Sequence, residues 1–92
     1  MLESVKVLAF THYLQGPLVA QMMGDFGADV IKVEPLAGAF ERRWSGLNSY
    51  KNGVSVYSFT ANRSQRSLSV DLKTDEGRSI AVQLAKKADV LI

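Results

Sequence analysis

The pattern of apolar and polar positions along the chain predicts four strands and two helices. Short apolar runs at residues 5–10, 29–33 and 89–92 are typical of buried strands. Residues 67–72 instead alternate between polar and apolar positions, which predicts a strand with one buried face. The predicted order is therefore β-α-β-connector-β-α-β, with an irregular, glycine-containing and aromatic-rich connector over residues 36–64.

The two predicted helices each begin at a recognisable residue. The first begins near Pro17, and apolar residues four positions apart predict a core-facing stripe of Leu18, Met22 and Phe26. Gly24 interrupts this helix at a cost of about 1 kcal/mol relative to alanine, which suggests the close approach of another backbone segment. The second helix begins after Thr74, which suits an N-cap, and its predicted buried stripe is Ile80, Leu84 and Ala88.

Strands that alternate with helices predict an α/β fold with a parallel sheet and right-handed crossovers. Both faces of a parallel sheet need cover, and two helices with one irregular connector cover four strands poorly. The last apolar run also has no terminating turn. We therefore expect residues 1–92 to be the N-terminal part of a larger α/β domain, whose remainder lies outside this chain.

Composition narrows the classes of function. The net charge of +2 is too small to indicate nucleic-acid binding, and the absence of cysteine excludes thiolate metal sites. A single histidine excludes a histidine-rich metal site. No apolar run approaches the roughly 20 residues of a membrane span, and the N-terminus lacks the features of a signal peptide. We expect a cytosolic protein with no metal and no membrane partner.

Candidate ligand-binding residues follow the predicted strands. The chain contains neither a G-x-G-x-x-G fingerprint nor a P-loop, but ligands of open α/β sheets bind outside the carboxyl ends of the strands. Two segments reach that edge, and they consist of His12, Tyr13, Leu14 and Gln15 after the first strand and Val70, Asp71, Leu72 and Lys73 at the end of the third. Lys73 could bind a phosphate and Asp71 a ribose hydroxyl, although a charged, solvated strand exit has the same pattern.

Two further features have both a functional and a purely structural interpretation. His12 could act as a general base, but no serine or cysteine partner is evident, and a hydrogen-bonded loop histidine is the favoured interpretation. The run Arg42-Arg43-Trp44 could bind a phosphate and stack on a base, or it could be a solvated loop with one buried tryptophan.

Two longer motifs carry a resemblance to a known family. GADVIKVEP and N-R-x-x-R-S-L-x-x-D-L-K, in this order and spacing and followed by KKADVLI, resemble the family III CoA-transferases of the CaiB/BaiF type. This family includes formyl-CoA:oxalate and carnitine CoA-transferases and has relatives among acyl-CoA racemases. The resemblance extends over nearly the whole chain.

The resemblance implies a Rossmann-like large domain, a second small domain and an interlocked homodimer. It implies that the adenine end of coenzyme A lies over Val70–Lys73 and that the loop with His12, Tyr13, Leu14 and Gln15 lines the thioester end. Family members often carry a basic residue just after the second strand. Here Pro35 and Leu36 occupy that place, so Arg42 or Arg43 would have to bind the nucleotide phosphates.

The implied reaction is the transfer of CoA from an acyl-CoA to a carboxylic acid acceptor through an aspartyl-CoA intermediate. The nucleophilic aspartate of the family lies downstream of these residues, so we expect no catalytic residue in this chain and no activity from it alone. Two alternatives remain at this point. One is a 2-methylacyl-CoA racemase of the same superfamily, and the other is a non-catalytic nucleotide-binding or interaction domain.

Overall fold

The structure, a computed structural model, describes all residues from 1 to 92. It contains two helices, α1 (Gln15–Asp25) and α2 (Asp75–Ala85). Its strands are β1 (Lys6–Ala9), β2 (Asp29–Glu34), β3 (Tyr50–Lys51), β4 (Val54–Ser55), β5 (Arg66–Ser69) and β6 (Val90–Leu91). Two 3-10 helices, Phe40–Arg42 and Val56–Phe59, lie in the connector between β2 and β5. No helix is both long and apolar enough to cross a membrane.

The predicted parallel sheet is present, with the strand order β5-β2-β1-β6. β2 pairs with β1 on one side and with β5 on the other, and β6 pairs with the free edge of β1. Chain connections therefore run outward in one direction from β1 and then cross back to its other side, as in doubly wound α/β folds. The α/β prediction is confirmed. Because the four strands are parallel, their carboxyl ends lie at one edge of the sheet.

The two faces of the sheet carry separate apolar clusters because successive side chains of a strand point to opposite sides. Val7, Ala9 and Val30 pack with Ala20 of α1 on one face. Leu8, Val33 and Val70 pack on the other face, with partly buried Leu84 and Ala85 of α2 against them. The two helices thus cover opposite faces, which is the arrangement that a parallel sheet requires.

The predicted core-facing stripe of α1 is wrong. Leu18, Met22 and Phe26 are 38%, 51% and 47% exposed, whereas the buried residues of the helix are Pro17, Ala20 and Gln21. Small and polar residues face inward because the end of the connector passes directly over the helix. A Cβ on Gly24 would lie 2.3 Å from the carbonyl oxygen of Ser64, and Gln21 Oε1 accepts a hydrogen bond from the backbone N–H of Arg63 at 3.2 Å. The expected close backbone approach at Gly24 is confirmed.

The second helix matches its prediction at its start and only in part along its stripe. Thr74 is the N-cap, and its hydroxyl accepts a hydrogen bond from Gly77 N–H at 3.0 Å. Ala81 is buried, whereas Ile80 of the predicted stripe is 43% exposed. Strand β5 ends at Ser69, earlier than the alternation predicts, so the candidate residues from 70 to 73 form the turn between β5 and α2.

Candidate functional site at the carboxyl ends of the strands

A cavity of about 420 Å³ opens at the edge of the sheet where β1, β2 and β5 end. Its walls come from three strand exits: Phe10 and His12 after β1, residues 33–36 at the end of β2, and residues 70–73 after β5. Half of its ten lining residues are hydrophobic. This combination of apolar walls and a few polar groups is typical of small-molecule sites.

The wall formed by the β5–α2 turn is held by its own hydrogen bonds. Asp71 Oδ1 accepts a hydrogen bond from the backbone N–H of Lys73 at 2.9 Å, and the Asp71 carbonyl accepts one from the Thr74 hydroxyl at 2.9 Å. A Cβ on Gly77 would lie 1.9 Å from the same carbonyl oxygen, so only glycine permits this packing. The turn is therefore fixed by its backbone, and the exposed Lys73 side chain is left without an ion pair to a carboxylate.

The opposite wall is the β1–α1 loop, which a buried carboxylate holds in place. Glu41 is 1% exposed, and its Oε2 lies 3.1 Å from His12 Nδ1 while its Oε1 accepts the Tyr13 backbone N–H at 3.0 Å. Tyr13 has a φ of 64°, a left-handed conformation that is uncommon for residues other than glycine. The hydrogen bond to Tyr13 N–H fixes this conformation, and the Phe40 ring packs edge-on against the Tyr13 ring at 4.7 Å between centroids.

Behind Glu41 lies a buried lysine. The Lys32 ammonium is 3.7 Å from Glu41 Oε1 and donates a hydrogen bond of 2.6 Å to Asn62 Oδ1. Burial lowers the pKa of Lys32, and the neighbouring carboxylates of Glu41 and Glu34 oppose that effect without cancelling it. These contacts join β2 to both ends of the connector, so the connector is part of the support of the site.

A second buried carboxylate, Glu34, binds Arg42. Arg42 Nε and Nη2 donate to the two oxygens of Glu34 at 2.8 and 2.7 Å, and the Ala39 N–H donates to Oε2 at 3.0 Å. Burial opposes ionisation of Glu34, but these hydrogen bonds outweigh it and lower the pKa to about 2. Glu34 also lines the cavity, and its charge there is neutralised by Arg42.

The cavity brings together five of the nine residues that the sequence predicts for the site: His12, Val70, Asp71, Leu72 and Lys73. The remaining four do not line it. Tyr13, Leu14 and Gln15 lie in exposed positions outside it, and Arg42 is held by Glu34 beside a smaller neighbouring cavity of about 240 Å³. The ligand roles of all nine residues remain predictions.

Sequence reasoning missed the residues that support the site, which are Lys32, Glu34, Glu41 and Asn62. For Lys32 and Glu34 the signal was the run DVIKVE. Charged residues inside an otherwise apolar parallel strand must be paired when the strand is buried. Glu41 and Asn62 had no comparable signal, since each lies in the irregular connector and meets its partners only through the fold.

The fold and the cavity define an α/β protein with a candidate ligand site at the carboxyl edge of a parallel sheet. The family model for CoA-transferase family III matches residues 2–92, and the chain belongs to this family. It is 41% identical to a formyl-CoA:oxalate CoA-transferase of Bradyrhizobium sp. (strain ORS 278), over 99% of this chain and 21% of that protein. It is 39% identical to a succinyl-CoA:glutarate CoA-transferase of Mus musculus, again over 99% of this chain and 21% of that protein.

Among solved structures, the chain is similar to a CAIB/BAIF family protein from Brucella suis. The two share 37% sequence identity at a TM-score of 0.87, over 97% of this chain and 24% of that one. The chain thus spans about a fifth of the length of the curated relatives that it matches. The predicted family is confirmed.

Proposed function

We propose that the cavity at the strand exits is part of the coenzyme A site of an enzyme that transfers CoA from an acyl-CoA to a carboxylic acid. The observation that carries this proposal is the cavity itself, which joins His12 and the Val70–Lys73 turn as the family resemblance predicts. Membership of CoA-transferase family III supports an acyl-CoA substrate. The fixed backbone of the turn and the unpaired ammonium of Lys73 suit the binding of an anionic nucleotide.

The proposed reaction uses an aspartate that lies outside these 92 residues. Its carboxylate attacks the thioester carbonyl and releases CoA thiolate, which then attacks the resulting anhydride to give an aspartyl-CoA thioester and a free acid. The acceptor carboxylate then attacks the aspartyl-CoA carbonyl and releases CoA thiolate, forming a second anhydride. The thiolate attacks the acceptor carbonyl of this anhydride, so that the acceptor leaves as its CoA thioester and the aspartate carboxylate is regenerated. Asp71 is unsuited to this role because its side chain already binds the turn backbone. We propose the interlocked homodimer of the family for the whole protein.

Lys73→Ala tests the nucleotide role of the β5–α2 turn. Loss of a charge-assisted hydrogen bond of about 1 kcal/mol or more should raise the dissociation constant for CoA at least about fivefold. Isothermal titration with CoA of the protein expressed from its complete reading frame measures this constant. Lys51→Ala is the matched control, because Lys51 is an exposed lysine of the β3–β4 hairpin. Equal affinities of the wild type and Lys73→Ala would remove Lys73 from the site.

Titrations with dephospho-CoA and ATP separate a CoA site from a general nucleotide site. Equal affinity for CoA and dephospho-CoA would favour the non-catalytic nucleotide-binding alternative. For the protein expressed from its complete reading frame, mass spectrometry after mixing with acyl-CoA should show an adduct on an aspartate outside these residues. Exchange of the α-proton of a 2-methylacyl-CoA with deuterium in the absence of an acceptor acid would instead indicate a racemase.

A further inference from the structure

His12 occupies a position between a buried carboxylate and the cavity. One edge of its ring carries Nδ1, which lies 3.1 Å from Glu41 Oε2. The other ring nitrogen, Nε2, has no hydrogen-bond partner within the chain, and His12 lines the cavity with its side chain 46% exposed. The ring therefore has one nitrogen committed to the protein and one available to a ligand.

The protonation of Glu41 decides which nitrogen of His12 carries the proton. Burial raises the pKa of Glu41, but hydrogen bonds from a backbone N–H and from His12, together with the nearby Lys32 ammonium, outweigh it and leave the pKa below its ordinary value. An ionised carboxylate can only accept hydrogen bonds, so Nδ1 must donate. A neutral imidazole then has an unprotonated Nε2, which can only accept.

We propose that Glu41 is a positioning residue that holds neutral His12 as the Nδ1–H tautomer, so that Nε2 accepts a hydrogen bond from an N–H or O–H group of the ligand. This proposal deepens the function proposed above, since it specifies what His12 recognises in the CoA cavity. The amide N–H groups of the CoA side chain belong to the required class. No role for His12 as the nucleophile or as a metal ligand is needed.

Several contacts make Glu41 a rigid support for this purpose. Its Oε1 accepts the Tyr13 N–H at 3.0 Å, and the Lys32 ammonium lies 3.7 Å from the same oxygen. The Phe40 ring packs against the His12 ring at 5.4 Å between centroids. The carboxylate therefore cannot turn away from His12 without losing a backbone hydrogen bond, and the ring has aromatic cover on one side.

Nitrogen-15 NMR of the imidazole tests the proposal directly, because His12 is the only histidine of the chain. In a longer chain, the signals that disappear in His12→Asn identify it. Long-range proton–nitrogen spectra of the neutral ring should show a protonated Nδ1 and an unprotonated Nε2. A predominant Nε2–H tautomer in the wild type would overturn the proposal, and this result needs no further variant.

Glu41→Gln tests whether the carboxylate is the cause. An amide can either accept from or donate to Nδ1, so the strong preference for one tautomer should be lost and the two nitrogen shifts should move toward each other. The matched control is Asp25→Asn, which removes a carboxylate that anchors the connector through Arg63 at 2.7 Å without touching His12. A tautomer ratio that is equal in the wild type and Glu41→Gln would refute the positioning role.

Addition of CoA separates this inference from the proposed function. The Nε2 shift of the wild type should move when CoA binds, in the direction of a newly accepted hydrogen bond, and Nδ1 should stay protonated. If CoA fails to bind while the Nδ1–H tautomer depends on Glu41, the CoA site is refuted and the positioning role stands. If CoA binds without moving the Nε2 shift, the ligand contact proposed for His12 is refuted.

Discussion

Glu34 gives the chain a measurable dependence of stability on pH. The carboxylate is 3% exposed and receives three hydrogen bonds, two from Arg42 and one from the Ala39 N–H. Its pKa is about 2 in the folded protein, against an ordinary value of 4.5. Because one pKa unit corresponds to 1.36 kcal/mol, ionised Glu34 should contribute about 3 kcal/mol to the free energy of unfolding at neutral pH.

The sign of this effect follows from the lowered pKa. The contribution is fully present above the unfolded pKa of 4.5 and is lost as the pH falls toward about 2. Glu34→Gln removes the titrating group. Its destabilisation relative to the wild type should therefore be about 2 kcal/mol smaller at pH ~3 than at pH ~7. Urea unfolding followed by circular dichroism at the two pH values measures this difference.

A surface carboxylate provides the control for Glu34→Gln. Asp29 pairs with Arg66 at 2.6 Å, but both side chains are more than half exposed, so Asp29→Asn should cost no more than about 1 kcal/mol. If Glu34→Gln destabilises the protein equally at both pH values, the carboxyl group of Glu34 is not ionised in the folded protein. The reasoning about the Arg42 pair would then be refuted, because a neutral Glu34 cannot give the lowered pKa.

The remaining predictions concern the turn that leads into α2. Gly77→Ala should destabilise the chain by several kcal/mol, because its Cβ would lie 1.9 Å from the Asp71 carbonyl oxygen, whereas Gly46→Ala meets its nearest atom at 3.6 Å and should be nearly neutral. A thermal melt of both variants checks this, and equal melting temperatures would contradict it. Thr74→Ala should cost about 1 kcal/mol through loss of the N-cap hydrogen bond. Unchanged helix stability in urea would contradict that value.

Local patterns were sufficient to predict the four strands of the parallel sheet and the edge of the sheet where the cavity lies. The apolar runs of β1 and β2 and the cap at Thr74 each depend on neighbouring residues, and the structure reproduces them within a few positions. Identification of CoA as the expected ligand required more than periodicity, and it came from the two long motifs.

The buried face of α1 was predicted wrongly because a connector segment without regular secondary structure covers this helix. Periodicity identifies the apolar side of a helix, but the buried side of α1 is chosen by the connector segment at Arg63 and Ser64, which needs small or hydrogen-bonding residues beneath it. The Glu41 contacts were hidden for a related reason. They join residues 28 or more positions apart, and nothing local marks such pairs.

The buried charges of β2 also determine how this strand can pair. Along it, Val30, Lys32 and Glu34 point to the face of α1 and the connector, whereas Ile31 and Val33 point to the face of α2. A shift of the strand by one residue would exchange the two sets and bring an ammonium and a carboxylate into the wholly apolar cluster under α2. Since unpaired buried charges cost several kcal/mol each, the polar contacts that support the site also exclude the wrong strand register.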